Sequence, residues 1–192
     1  MRMFHVGLTI MLLAVAAAPA RADGFVTPFY GFNFGGDSNC ATFRNCEDKR
    51  SNFGVSIGTM GTIFGFEEDI SFAKDFFGKI PNVDNSVFTL MSNLLIGVGA
   101  GPVQPYFLVG AGLIRPHVSV DLTKFTADNN SLGYDLGAGV NGYFSRHVGI
   151  RGDIRRFHTL EDFGFFEDLA SQVFVTRKLE FWRASVGVSL RF

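Results

Sequence analysis

The last twelve residues of the chain alternate strictly between two kinds of side chain. A period of two is typical of a β-strand with two different faces. In a soluble domain another layer would cover the apolar face, and here no segment follows to do so. We therefore expect the apolar face to meet something other than a protein layer. One face would carry Trp182, Ala184, Val186, Val188, Leu190 and Phe192, and the other Phe181, Arg183, Ser185, Gly187, Ser189 and Arg191.

The same period recurs along the chain and marks eight candidate strands. Residues 52–58 alternate without exception. In 132–141 and 148–155 the second face carries glycine and charged residues, which suit a narrow polar interior better than a solvent-exposed sheet surface. The predicted strands are 25–36, 50–60, 62–74, 86–98, 104–117, 131–143, 147–158 and 179–192.

The connections between these strands alternate in length. Those at 60–62, 99–102 and 145–147 are short, whereas those at 37–49, 75–85, 118–130 and 159–178 are long. Barrels that span an outer membrane have short periplasmic turns and longer extracellular loops. The sequence therefore predicts an all-β fold, a closed eight-stranded antiparallel up-and-down transmembrane barrel with four longer extracellular loops.

The first 22 residues have the pattern of a secretory signal peptide. Arg2 precedes an apolar run over 6–18, and Ala20-Arg21-Ala22 resembles a cleavage site. The run is too short to cross a membrane comfortably, which disfavours an uncleaved anchor. We expect cleavage before Asp23, so that 23–192 form the barrel domain. A signal peptide together with a membrane-spanning barrel predicts that the protein is located in the outer membrane of a Gram-negative-type bacterium.

Composition supports the same class. The chain has 23 Phe and 23 Gly in 192 residues, which is unusual for a water-soluble enzyme of this size. With 17 Lys and Arg against 18 Asp and Glu, no basic surface for nucleic acid is indicated. The sequence gives no indication of a cofactor or a metal site.

Three glycine-rich strands and the last residue resemble a known family. They are PYFLVGAG at 105–112, YDLGAGV at 134–140, VGIRGDIR at 148–155, and Phe192. Together they resemble the small OmpA/OmpX-like eight-stranded barrels, the outer membrane protein beta-barrel domain family, over nearly all of 24–192. The resemblance implies lipid and lipopolysaccharide as surroundings. It also implies that the outer-membrane assembly machinery reads the final strand, with Trp182, Leu190 and Phe192 as its signal.

Two cysteines lie in the first long connection. Cys40 and Cys46 are separated by five residues. In an oxidising compartment this spacing predicts a disulfide that stiffens the loop, rather than free or metal-bound thiols.

Seven charged residues fall on predicted inward faces. They could form a selectivity filter or a proton path, or they could fill the interior as an ion-pair network. An eight-stranded barrel is just wide enough for side chains to fill it, and mixed signs favour the filled interior. Glu68 falls on the outward face instead, which suggests either a bulge or a position at the membrane surface. The inward residues are Glu67, Asp69, Asp135, Arg151, Asp153, Arg155 and Arg183.

The histidines give weak support for an enzyme. Some small outer-membrane barrels are lipid A-modifying hydrolases with a histidine and a serine two residues apart. His158 is followed at that spacing by Leu160, and His117 by Ser119 with no assignable acid. His147 is expected in a periplasmic turn. The sequence therefore predicts no catalytic residues.

Aromatic residues are expected at the lipid interfaces and in the loops. The four tyrosines and Trp182 suit interfacial girdles. The pairs Phe76-Phe77 and Phe165-Phe166 suit strand continuation more than a contact site. The leading functional interpretation is a non-enzymatic structural or interaction protein that presents loops for envelope integrity, adhesion or recognition. A narrow channel and a lipid-modifying enzyme are the alternatives. The tyrosines are Tyr30, Tyr106, Tyr134 and Tyr143.

Overall fold

A computed structural model describes residues 23–36, 51–77, 83–99, 101–120, 125–128, 130–160 and 178–192. The predicted signal peptide, Cys40, Cys46 and the pair Phe165-Phe166 lie outside these residues. Within them no helix is long and apolar enough to cross a membrane. The strands found there are β1 (Asp23–Phe34), β2 (Ser51–Met60), β3 (Phe64–Lys74), β4 (Val83–Gly97), β5 (Val103–Val120), β6 (Phe125–Asp128), β7 (Ser131–Tyr143), β8 (Val148–Thr159) and β9 (Glu180–Arg191).

Eight of these strands close into one antiparallel barrel. The hydrogen-bonded order is β4-β3-β2-β1-β9-β8-β7-β5, and β4 also pairs with β5, which closes the ring. Each wall strand lies beside its neighbours in the chain, and β1 meets β9 at the seam. The predicted closed eight-stranded barrel is confirmed, with strand bounds within three residues of those expected.

The short strand β6 was not predicted. It pairs with the end of β5 over His117–Val120, inside the predicted loop 118–130. Both β4 and β5 continue past the point where β7 leaves β5 at Ile114. Alternation continues in β5 through Val118, Ser119 and Val120, and β-branched residues favour extended strands. A three-stranded sheet of β4, β5 and β6 therefore extends the wall on the side of the long connections.

Side-chain parity follows the predicted faces. In both β8 and β9 the odd-numbered side chains face the interior and the even-numbered ones face outward, as expected. Arg155 and Arg183 are buried, whereas Ile154 and Val186 are exposed. The orientation of β4 was ambiguous in the sequence. In the structure Thr89, Met91, Asn93 and Leu95 are buried in the interior. Their even-numbered neighbours, which include Leu94 and Ile96, form the outer wall.

Two aromatic assignments were wrong. Tyr106 is buried in the interior rather than exposed at an interface. Phe76 does not continue the wall, because Asp75 adopts a left-handed backbone (φ 54°) and the chain turns inward there. Phe76 is then fully buried, with its ring edge-on to Phe181 at 4.8 Å. Tyr30 and Tyr134 do lie on the outer wall, as predicted.

Candidate functional site

The interior holds all seven of the charged side chains predicted to face inward. They come from β3, β7, β8 and β9, and each is at most 4% exposed. The alternation of β8 aims Arg151, Asp153 and Arg155 to the same side, since successive side chains of a strand point to opposite faces. Closure of the ring places β8 across the interior from β3, so these side chains face the acidic residues of β3. The sequence pattern thus concentrates both signs of charge at one level of the barrel.

Arg155 is the centre of this network. Its Nη2 lies 3.0 Å from Glu67 Oε1 and 3.1 Å from Asp153 Oδ2. Its Nη1 lies 3.3 Å from Asp69 Oδ2 and 3.7 Å from Asp135 Oδ2. One guanidinium group therefore contacts four carboxyl groups from three strands. Because a buried charge requires partners, Arg155 is the residue on which the other charges depend most.

Arg151 ties the network to Tyr106. Its Nη1 pairs with Glu67 Oε2, and its Nε donates to the Tyr106 hydroxyl at 2.6 Å. The same hydroxyl donates to Asp153 Oδ2 at 2.9 Å. The Arg151 guanidinium also lies 4.7 Å from the centre of the Tyr106 ring. Tyr106 is thus a member of the network that the sequence analysis missed.

Arg183 forms the edge of the network toward the long connections. Its Nη2 lies 2.7 Å from Asp69 Oδ1, and its Nη1 donates to Ser71 Oγ at 2.9 Å. The guanidinium lies 4.8 Å from the Phe29 ring centre and 4.9 Å from that of Phe157. Arg183 therefore joins the charged layer to the apolar side chains beside it.

Small residues make room for this network. The Asn93 amide donates to Asp135 Oδ1 at 2.7 Å and accepts from Arg155 Nη1 at 3.2 Å in the orientation that satisfies both. A Cβ atom at Gly110 would overlap the Asn93 side-chain amide group, and one at Gly139 would overlap the Tyr106 hydroxyl. Inward glycines thus provide the space that large polar side chains on neighbouring strands occupy.

Apolar side chains fill the interior on both sides of the charges. The layer near the short turns is smaller, and the layer near the long connections is larger. Together with the charged layer they form a three-layer plug of side chains. The first apolar layer consists of Phe25, Met60, Leu95, Tyr106 and Leu108. The second consists of Ala73, Phe76, Val87, Met91, Ile114, Phe157, Leu179 and Phe181.

Glu68 belongs to the outward row of β3, where neighbouring side chains cover it to 7% exposure, and the predicted bulge is wrong. The register of β2 against β3 is continuous from Asn52 to Met60, so the strand has no bulge there. Glu68 lies midway between Phe64 and Phe72 along β3, and its position relative to a membrane surface stays a prediction. Ser92 Oγ lies 2.8 and 2.9 Å from its two carboxyl oxygens.

Among the described residues, His117 and His158 lie near the ends of β5 and β8, and His147 lies in the turn before β8. His158 Nδ1 is 3.4 Å from Glu180 Oε2, an acid that the sequence analysis had not paired with it. The register places Ser86 and Asp128 opposite His117 on the two neighbouring strands. Register alone does not make a catalytic triad, which is defined by hydrogen bonds among nucleophile, base and acid. The absence of catalytic residues therefore stays a prediction.

The proposed assembly residues lie along the outer face of β9. Trp182 stacks on Phe34 at 6.4 Å near the long connections, and the Arg156 guanidinium lies 5.7 Å from its ring. Leu190 and Phe192 lie at the opposite end. Phe192 exchanges two backbone hydrogen bonds with Gly24, at 2.9 and 3.0 Å, which complete the seam. The role of these residues as a signal stays a prediction.

Several solved structures share this fold. The attachment invasion locus protein Ail of Yersinia pestis, in complex with the heparin analogue sucrose octasulfate, is 13% identical and has a TM-score of 0.59. It covers 90% of this chain and 99% of its own. Neisserial surface protein A is 13% identical with a TM-score of 0.55, over 88% of this chain and 95% of its own. Outer membrane protein H from P. aeruginosa is 16% identical with a TM-score of 0.56, over 89% and 100%.

Sequence comparison gives the family. A search of curated proteins found no match. The family model described as outer membrane protein beta-barrel domain matches residues 8–192, which include every described strand. The closed barrel, the alternating faces and this match agree. The chain belongs to the outer membrane protein beta-barrel domain family.

Proposed function

We propose that the chain is a non-enzymatic surface protein of the outer membrane, a closed barrel that presents its extracellular connections for adhesion or recognition. The family indicates the bacterial outer membrane as its location. The observation that carries the proposal is the three-layer plug. An interior filled with its own side chains leaves the connections as the part of the molecule available to a partner.

The plug argues against the channel alternative. An ion crossing the barrel would have to pass the layer of Phe157 and Phe181, whose rings stack at 4.7 Å. It would then have to displace Arg155 from four carboxyl groups. Each of these groups loses partners in a dry environment when the network opens, and such losses are costly. The side chains therefore support a structural role for the interior.

The strand ends that flank the long connections lie on one side of the barrel. Binding residues occur preferentially on loops that a rigid scaffold positions. Ail is named as an attachment invasion locus protein, and another match is named as a surface protein. These names support a surface role for this chain, with the ligand set by its own connections.

The first test measures adhesion. A non-adherent laboratory bacterium expressing the protein is expected to bind a cultured epithelial monolayer. Replacement of 162–176 or 37–49 by a short Gly-Ser turn should reduce binding to the level of the empty vector, while the amount of folded barrel in the membrane is unchanged. Wild-type cells that bind no better than empty-vector cells would contradict the adhesive role.

The second test measures conductance. Purified folded barrel in a planar lipid bilayer is expected to give no discrete openings, since the plug fills the interior at three levels. A larger porin with a water-filled channel is the positive control for the bilayer. Stable, reproducible openings of the wild-type barrel would overturn the sealed interpretation and favour transport.

A further inference from the structure

Near the long connections, three buried polar side chains carry atoms without a hydrogen-bond partner in the described part of the chain. The atoms are Oδ1 and Nδ2 of Asn33 on β1, Oδ1 of Asn52 on β2 and Nε of Arg183 on β9. Each of these residues is at most 2% exposed. Buried polar groups in native proteins almost always have a partner, either from the protein or from ordered water. These four atoms therefore require an explanation.

Contacts and strand register place these three side chains together. Asn52 Nδ2 and Arg183 Nη1 both donate to Ser71 Oγ, at 3.2 and 2.9 Å. Asn33 is the direct cross-strand neighbour of Arg183. Asn52 pairs with Gly31, two residues before Asn33, so the two asparagines are diagonal neighbours on the inward face. The four atoms therefore belong to one cluster of side chains rather than to separate defects.

The cluster lies where the second apolar layer is interrupted. The described members of that layer come from β3, β4, β5, β8 and β9 and from residues next to these strands. At the corresponding ends of β1 and β2 the buried inward side chains are Asn33 and Asn52. Asn33 is one residue from the end of β1, and Gly35 and Gly36 beyond it are exposed. Asn33, Asn52 and Arg183 thus define a polar gap in the layer, close to the water at the long connections.

The chemistry of the four atoms selects the ligand. The two Oδ1 atoms accept hydrogen bonds, whereas Nδ2 of Asn33 and Nε of Arg183 donate them. A cation would leave the two donors unsatisfied, and an anion would leave the two acceptors unsatisfied. Water both donates and accepts, and a buried water molecule typically makes about three hydrogen bonds to otherwise unsatisfied groups. Water is therefore the ligand that suits the whole cluster.

We propose that the polar gap is a binding site for water, which hydrates the edge of the charged layer from the side of the long connections. Arg183 Nη2 lies 2.7 Å from Asp69 Oδ1, and this ion pair closes the gap at its inner end. Bound water therefore reaches the buried guanidinium group without crossing the plug. The site is independent of the partner that the connections bind.

The first arm of the test detects the water directly. Folded barrel containing isotope-labelled asparagine is studied in detergent micelles by NMR, which measures dipolar transfer between water and the side-chain amide protons. Asn33 is expected to show a water cross-peak of the sign that distinguishes dipolar transfer from chemical exchange, and Asn33→Leu identifies the signal by removing it. Asn93 is the matched control, because its amide group contacts Asp135 and Arg155 directly. The absence of the cross-peak at Asn33, or an equally strong one at Asn93, would overturn the proposal.

The second arm uses the sign of a stability change in urea. In a dry gap, Asn33→Leu would remove two unsatisfied atoms and raise the midpoint of unfolding, because an orphaned polar group is destabilising. In a hydrated gap it removes the water that Arg183 Nε and Asn52 Oδ1 need, so the midpoint should fall and the unfolding equilibrium constant should rise about tenfold. Asn33→Ser keeps a donor, an acceptor and room for water, and should unfold close to wild type. A higher midpoint for Asn33→Leu would overturn the proposal, as would an equal fall for Asn33→Ser, which would assign the loss to packing.

Discussion

Replacement of Arg155 by alanine is expected to lower the free energy of unfolding by about 3–5 kcal/mol, the usual cost of removing one partner from a buried ion pair. The reason is the number of carboxyl groups left behind. Glu67, Asp69, Asp135 and Asp153 all contact this one guanidinium group. Without it, like charges would face one another in a dry interior.

The adjacent residue supplies the matched control. The Arg156 side chain is 50% exposed on the outer face, where it pairs with Glu180. An exposed ion pair contributes about 1 kcal/mol or less. Both alanine variants are unfolded with urea in detergent micelles. The folded fraction is measured from the difference in electrophoretic mobility between folded and unfolded barrel, which gives the two effects. If Arg155→Ala unfolds at the same urea concentration as Arg156→Ala, the network does not hold the barrel together.

Replacement of Phe192 by alanine is expected to cause a large loss of folded barrel in the outer membrane of growing cells. The substitution keeps the backbone hydrogen bonds to Gly24 and removes only the ring. The ring is 76% exposed on the outer face, so little packing within the barrel is lost. The expected defect therefore lies in delivery by the assembly machinery rather than in stability.

Phe144 provides the control, because it is also 76% exposed and lies at the same end of the barrel. Phe144→Ala should accumulate at the wild-type level. Both purified variants should refold into detergent like wild type, which separates delivery from folding. Equal cellular levels of the two variants would remove Phe192 from the assembly signal. A refolding defect confined to Phe192→Ala would instead assign the residue to closure of the seam.

Most of the fold could be predicted from the sequence because one rule, the period of two, governs every wall strand. Parity alone placed Glu67, Asp69 and Arg183 on the interior face. It also carried a signal that was not used, since Tyr106 comes directly before the outward Phe107 and must therefore point inward. Tyr106 was assigned by residue type, and the type was misleading.

The remaining errors come from information that periodicity does not contain. Phe76 enters the interior because Asp75 turns the backbone there, and a single left-handed residue leaves no trace in an alternating pattern. Glu68 was given the correct face, but only the continuous register showed that it lies within a regular strand. Which inward charges meet depends on the curvature that brings β3 and β8 together across the barrel.

The layout of the buried charges constrains how this protein can enter a bilayer. Arg155 and Glu67 are 88 residues apart in the chain, and their strands are not neighbours in the wall. A β7–β8 hairpin inserted alone would expose Asp135 and the charges of β8 to lipid without the partners that β3 provides. Insertion by single hairpins is therefore unfavourable, and the strands must curl toward one another before or during their passage into the membrane. We therefore expect closure of the ring to precede or accompany entry into the bilayer, and not to follow it.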